Sequence, residues 1–266
     1  MPARVDAPLA VTWLGHSSTL IELGGVRLMT DPILRERIGP LVRIAPRVPL
    51  QASCDIDAAL ISHLHADHAD LRSLRRLGTH IIAPSGSARW LARNGLRDVE
   101  ELRAGGETSV GGLRISATPA RHHGRRWRYG VRADAIGFLL AGSQACYFAG
   151  DTDLYPGMSE LAGSVDLALL PVWGWGPRVG PGHLDPVRAA TAARMIAPRV
   201  AVPIHWGTFV LGWPGKRPAD PALPARRFSE LVSQVAPSVE VRVLAPGAQT
   251  ELAADPRPSA GPRGAA

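Results

Sequence analysis

The chain has 266 residues, 45% hydrophobic and 20% charged, which is ordinary for a globular protein and long enough to bury a substantial core in one domain. Cys54 and Cys146 are its only cysteines, which excludes a disulfide framework and fits a reducing cytoplasm. The formal net charge of +7 comes almost wholly from arginine, because Lys216 is the only lysine; it favours anionic partners such as phosphates, acidic lipid surfaces or nucleic acid without choosing among them.

The start, Met1 to Pro8, lacks the apolar core of a signal peptide, and no later stretch is long and apolar enough to span a bilayer, although peripheral membrane contact stays open. Val11–Leu14 and Leu20–Leu23 read as strands, and Gly24-Gly25 turns the chain into Val26–Met29. His16 lies between the first two, and Thr30-Asp31-Pro32 follows the third. A lone His or Asp in such places is more often structural than functional. Residues 35 to 54, rich in Arg and Pro without a period, read as a long surface loop.

Ala58–Ile61 has the length of a buried strand, and Leu71–Leu77 has helical spacing ending at Gly78. Ile81–Pro84 and Ser87–Arg93 repeat the strand and helix alternation, which indicates parallel strands with crossover helices. A hairpin turning at Gly111-Gly112 delivers Thr118-Pro119-Ala120-Arg121-His122-His123, and a second, Ile136–Leu140 with Ala145–Ala149, ends in Gly150-Asp151-Thr152-Asp153. Val165–Leu170 is a buried strand leading to a Trp/Gly/Pro loop. Asp185-Pro186 caps a helix through Met195, Val200–Ile204 runs into His205, a last helix centres on Phe228–Val232, and Val239–Val243 closes the sheet. The readings give an extension over residues 1–10, one folded domain over 11–252, and an Ala/Pro/Gly/Arg-rich disordered tail over 253–266.

Between the strand Ala58–Ile61 and the helix at Leu71 stands His63-Leu64-His65-Ala66-Asp67-His68. Three imidazoles and a carboxylate within six residues are costly to bury without a partner. A divalent metal supplies one, since neutral imidazole and carboxylate suit zinc and related ions. A solvated histidine-rich loop is the bland alternative. Against it, four separate strands end in chemistry, at His63, His122, Asp151 and His205, as a metal site assembled on one edge of a sheet sandwich would require.

The motif resembles the HxHxDH signature of the metallo-β-lactamase superfamily, and the resemblance implies an α/β fold of the αββα sandwich type, two mixed sheets with helices on the outer faces. Trp13-Leu14-Gly15-His16, Thr30-Asp31-Pro32, Pro119-Ala120-Arg121-His122, Gly150-Asp151-Thr152, His183-Leu184-Asp185-Pro186 and His205-Trp206-Gly207-Thr208-Phe209 stand in the order found in N-acyl-phosphatidylethanolamine-hydrolysing phospholipase D proteins, and also resemble the ascorbate-phosphate lactonase branch. Matching motifs imply His63, His65 and His122 at a first metal, Asp67, His68 and His205 at a second, and Asp151 bridging. The ions expected are two, zinc first, with iron or manganese also suited. Together they would activate a hydroxide for hydrolysis, with Asp67 and Asp151 serving the catalytic centre and His183 orienting substrate or transferring a proton. His123 competes with His122 as a ligand, and His80 reads as structural.

Trp127, Trp173, Trp175, Trp206 and Trp213, five of seven tryptophans, follow strand ends and interleave with Arg121, Arg125, Arg126, Arg128 and Arg178. Guanidinium suits phosphate and indole suits an acyl chain or ring, so His16, Arg125, Arg126, Trp173 and Trp175 are the substrate candidates, weighed evenly against core tryptophans and a solvated arginine face. The leading expectation is a cytoplasmic phosphodiesterase acting on a small-molecule or lipid-like anionic substrate with an apolar arm. A lactonase uses the same hydroxide on a carbonyl; a nuclease lacks room for a nucleic-acid clamp; a non-enzymatic binding or sensor protein would be expected to have lost some of the seven candidate ligands.

Overall fold

A computed structural model describes residues 8–126, 130–176, 178–212 and 220–253. Strands β1 (Leu9–Gly15), β2 (Ser18–Leu23) and β3 (Val26–Thr30) form an antiparallel meander. Short strands β4 (Arg37–Ile38) and β5 (Leu41–Arg43) follow. Next come β6 (Ala58–Leu60), helix α1 (Leu71–Leu77), β7 (His80–Pro84), α2 (Ala88–Arg93) and β8 (Val99–Leu102), with β6, β7 and β8 adding in parallel to β3.

The second half opens with the antiparallel strands β9 (Glu107–Val110), β10 (Leu113–Pro119), β11 (Ile136–Ala141) and β12 (Ala145–Phe148). Strand β13 (Leu167–Pro171), α3 (Pro186–Ile196) and β14 (Val200–Ile204) make a parallel crossover unit. The chain ends with β15 (Phe209–Leu211), α4 (Leu223–Val235), β16 (Glu240–Val241) and β17 (Gln249–Leu252). Two seven-stranded mixed sheets result, ordered β17-β1-β2-β3-β6-β7-β8 and β16-β14-β13-β12-β11-β10-β9.

Period-two alternation sorts the strand residues between layers. On β6, Ala58 and Leu60 join Ile115, Phe138 and Phe148 in the core between the sheets, while Ala59 turns to the other face with Ile81, Leu74 of α1 and Leu91 of α2. Helices α3 and α4 bury Ala189, Ala193, Phe228 and Val232 against the second sheet. This is the αββα sandwich, and burial on both faces explains why the central parallel strands are apolar throughout. Each fully buried large side chain, such as Phe138, Phe148 or Phe228, contributes about 1.5–3 kcal/mol relative to exposure.

Caps set where α1 and α3 begin. Asp70 accepts from Ser73 N ahead of α1, and Asp185 accepts from Arg188 N ahead of α3 with Pro186 in the first turn, each worth about 1 kcal/mol.

The structure corrects the sequence reading in three places. Strand β1 starts at Leu9, two residues early, because Leu9 pairs with Leu252. Residues 35–54 are more than a loop: β5 pairs with β4 on one side and with β15 on the other in a three-stranded sheet, its strands too short to show alternation and its third member distant in sequence. At the carboxyl end only Glu240–Val241 is strand against β14, and the strand that closes the first sheet is β17, whose Gln-Thr-Glu-Leu alternates buried and exposed residues without a hydrophobic run.

Arg43 ties the small sheet to the main one. Its side chain is buried, donates from Nη1 and Nη2 to Leu14 O at 3.2 and 3.1 Å, and lies 5.3 Å from the Phe209 ring. Burial lowers its pKa to about 10, so it stays charged at neutral pH while holding the end of β1 just ahead of His16.

Gly150 marks a close approach between strand ends of the two sheets. Gly150 has φ +59, and a Cβ there would stand 2.7 Å from Ser62 Cβ and 3.0 Å from Ile136 O. It lets Asp151 approach the loop that carries His63. Gly150→Ala should cost about 1–3 kcal/mol from backbone strain, with crowding against Ser62 adding to it, and should lower the melting temperature by several degrees; an unchanged thermal transition would contradict this placement.

Candidate metal centre

The chemistry gathers at one edge of the sandwich, where strands run out. His16 follows β1, Asp31 follows β3, the segment 61–70 follows β6, His122 follows β10, Asp151 follows β12 and His205 follows β14. His16, Asp31 and His205 have φ of +54, +34 and +64. Left-handed backbone at non-glycine residues stores strain, and its concentration here marks a functional site.

His63, His65 and His122 form one group with ligand atoms within 4.8 Å of one another; His16, Asp67, His68 and His205 form a second. Asp151 lies between them. Its Oδ2 is 3.2 Å from His68 Nε2, its Oδ1 is 3.3 Å from His205 Nε2, and it also groups with His122 and His183.

Hydrogen bonds on the far side of the rings fix the tautomers. Nδ1–H of His122 donates to Gly182 O at 2.8 Å, that of His205 to Trp173 O at 2.8 Å, and that of His68 to Asp31 Oδ2 at 2.7 Å. Each Nε2 lone pair therefore points inward. The Nε2 atoms of His68 and His205 are only 3.2 Å apart, a repulsive approach unless a proton or metal cation sits between them. His63 Nε2 and Asp151 Oδ1 are buried without a hydrogen-bond partner. Orphaned acceptors converging in pairs fit divalent metal, and a donor set of nitrogen and oxygen without thiolate suits zinc, iron or manganese.

Electrostatics prepare the same state at four of the rings. Burial holds His63 well below the usual imidazole range and lowers His65 and His122 to about 4 and His205 to about 3, so these rings are neutral at pH 7, as ligation requires. His68 is opposite: burial would lower it, but Asp151, Asp31 and Asp67 outweigh burial and raise it well above that range. Burial pushes Asp67 and Asp151 up, yet the surrounding imidazoles prevail and hold both carboxylates ionised.

Asp31 is the residue that sequence reasoning undervalued. It is fully buried and accepts from Ser62 N at 2.7 Å and Ser62 Oγ at 2.6 Å besides His68. The signal was available in Asp31-Pro32, which ends a strand on the same edge as His63. Asp31→Asn would set an amide N–H against His68 Nδ1–H. Metal affinity at the group containing His68 should fall about 10- to 100-fold, measurable by competition with a chelator; equal affinity would reduce Asp31 to packing.

The β-lactamase superfamily domain model matches residues 26–206. The chain belongs to the metallo-β-lactamase superfamily. A metal-dependent hydrolase of Methanopyrus kandleri is 32% identical over 252 residues, 91% of this chain and 100% of that protein. An N-acyl-phosphatidylethanolamine-hydrolysing phospholipase D of Caenorhabditis elegans is 29% identical, with 78% of this chain matched to 66% of that one, so the chain spans about two thirds of that relative. A solved metallo hydrolase of the archaeon Ignicoccus hospitalis superposes with a TM-score of 0.70 at 27% identity, covering 92% of this chain and 99% of its own. The protein is thus a metal-dependent hydrolase of this superfamily.

The residues proposed around the superfamily centre separate into three kinds. His16, Trp175 and His183 touch it: His16 Nε2 lies 3.1 Å from Asp67 Oδ2, Trp175 Nε1 donates to the same oxygen at 3.0 Å, and His183 Nε2 is 3.3 Å from Asp151 Oδ2. His123 stacks on His122 at 5.1 Å and is exposed. Arg125, Arg126 and Trp173 line flanking cavities.

Arg126 departs from the expectation that it reaches over the pocket toward phosphate. Its Nη1 donates to Leu64 O and Ala69 O at 2.9 and 3.0 Å, and its guanidinium lies 4.4 Å from the Trp90 ring. The open carbonyls of the loop between β6 and α1, which belong to no helix or strand, draw it inward. Trp206 is buried against Trp13, Arg121 leans on Leu154 O, and Arg178 is exposed. His80 pairs with Asp98 and Glu100, away from the centre. Trp127, Arg128 and Trp213 lie outside the described residues, as do residues 1–7 and 254–266 of the two terminal segments.

Proposed function

We propose that the protein is a dinuclear hydrolase, with zinc at both positions, that cleaves a phosphodiester carrying an apolar arm. His63, His65 and His122 would hold the first ion and Asp67, His68 and His205 the second, with Asp151 between. When bound, the ions would supply Lewis acidity and a water acidified toward neutral pH.

The observation that carries the substrate class is the pair of cavities flanking the centre. One, of about 760 Å³, is lined by His65, His122, His123, Arg125 and Arg132, with Arg126 turned inward behind them. The other, of about 700 Å³, is lined by Trp173, Trp175, Phe209, Leu211, Leu223 and neighbours. Cationic groups on one flank favour an anionic ester, whose charge spreads over several oxygens during phosphoryl transfer. Indole and aliphatic surface on the other favours a chain or ring. His183 would hold a proton for the leaving oxygen: burial opposes its charge, but the hydrogen bond to Asp151 and that carboxylate's charge raise its pKa.

Both cysteines are unpaired, Cys146 buried and Cys54 exposed, which supports work in a reducing compartment such as the cytoplasm. Among the described residues no helix is long and apolar enough to cross a membrane.

The test is a hydrolysis panel with zinc-loaded enzyme. Phosphodiesters with alkyl or acyl arms should turn over, with kcat/KM rising as the arm lengthens. Efficient opening of lactones with no diester cleaved would replace this reading with a lactonase.

A further inference from the structure

The loop that leaves β13, residues 173–176, faces two ways. Its Trp173 carbonyl accepts the Nδ1–H of His205 at 2.8 Å, and its Trp175 indole donates to Asp67 Oδ2 at 3.0 Å. Trp173 Nε1 donates to Gly176 O at 3.1 Å, which closes the loop on itself. The same two indoles wall the apolar groove, where Trp175 is 40% exposed and Leu223 57% exposed. Two of the three groups assigned to the second ion are therefore hydrogen-bonded to the wall of the groove, Asp67 as acceptor and His205 as donor.

We propose that filling the groove with an apolar chain or ring and filling the second metal position are thermodynamically linked through this loop. The inference rests on the two-metal reading. A half-exposed indole held by one hydrogen bond has other rotamers open to it, and each of them breaks the contact with Asp67. A guest packed on the indole removes those rotamers and so holds Asp67 in place. A metal that fixes Asp67 fixes the acceptor, and with it the wall the guest packs against. Linkage makes the two effects equal: the factor by which metal tightens the guest is the factor by which the guest tightens metal.

The groove takes the apolar arm of a substrate, and the coupling makes the second ion bind best when such an arm is seated. The probe is N-phenyl-1-naphthylamine, a neutral fluorophore that brightens in apolar surroundings and carries no group suited to zinc. Its affinity is measured for zinc-loaded and chelator-stripped full-length protein, and zinc affinity is measured with and without saturating probe. The probe should bind the loaded protein about 5-fold or more tighter, within the usual range of coupling, and the second zinc equivalent should tighten by the same factor.

Trp175→Phe keeps an aromatic wall but loses the donor. Probe binding should survive, the coupling factor should fall toward one because only the Trp173–His205 link is left, and the second equivalent should weaken about 10- to 100-fold. Leu223→Glu, at the exposed first turn of α4, should abolish probe binding and leave zinc affinity in the absence of probe unchanged. Equal probe affinity for loaded and stripped wild-type protein overturns the proposal, as does a full coupling factor in Trp175→Phe or undiminished probe binding in Leu223→Glu. Two zinc equivalents with no coupling would remove the linkage alone; a single equivalent in wild type would remove the two-metal reading and the linkage with it.

Discussion

Asp151→Asn should fold, lose at least one of two zinc equivalents, and turn over at least about 10³-fold more slowly. The expectation follows from position. Asp151 is 3% exposed, and its carboxylate meets His68, His205 and His183 while sharing a ligand group with His122. Asp31 also groups with His63 and His68, but its oxygens already accept from Ser62 N, Ser62 Oγ and His68 Nδ1, whereas Asp151 Oδ1 has no hydrogen-bond partner. The asparagine side chain keeps the volume, so the core should tolerate it, but it removes the charge that, on the proposed reading, would draw two cations together and one oxygen that could face them. Elemental analysis of purified variant and wild type reads the result directly. Two equivalents retained in Asp151→Asn would defeat the bridging role, whatever happened to activity.

His183→Gln should behave differently, keeping full metal while losing about 10²- to 10⁴-fold in kcat, the usual contribution of a positioned proton donor. His183 stands at the loop ahead of α3, and its Nδ1 meets Gly180 O and Pro181 O at 3.3 and 3.2 Å while Nε2 meets Asp151. Those contacts stabilise the imidazolium, so its pKa is raised, against a burial effect of opposite sign. A proton donor acts in its charged form. Turnover should therefore hold below the raised pKa, which lies above the ordinary histidine value, and fall as pH rises through it. In His183→Gln that alkaline limb should vanish. A variant with wild-type kcat and an unaltered pH profile would leave His183 only the role of shaping the loop whose Gly182 carbonyl holds His122.

The two variants separate what each residue contributes. Metal content distinguishes a group that holds the ions from one that works beside them, and the pH profile distinguishes a proton donor from a residue that only packs. Asp31→Asn adds a third case, weakening one ion through His68 without touching it. Together they test whether the centre has the division of labour its geometry suggests.

Local pattern carried much of this protein into view before any tertiary contact was known. Ala58–Leu60, Ile81–Ala83 and Leu167–Leu170 are apolar runs because parallel central strands bury both faces, and Gly24-Gly25, Asp70 and Asp185-Pro186 mark turns and caps through chemistry internal to a few residues. The segment His63–His68 announced metal because so many imidazoles and a carboxylate in six residues have no inexpensive alternative when buried. Motif resemblance then supplied the fold. What sequence could not decide depended on partners far along the chain. Strands β5 and β17 are short or polar and pair with distant segments, β15 and β1, while the two-residue β4 pairs with β5 alone. Arg126 reads as a phosphate-facing substrate candidate or a solvated cation until the carbonyls of Leu64 and Ala69 stand beside it. Asp31 reads as a turn residue until Ser62 and His68 arrive from the next strand's end. Residue type and spacing determine which groups could bind a metal and which segments could be strands; only folding decides which lone pairs meet, because hydrogen-bond direction and burial are properties of neighbours that local sequence does not contain.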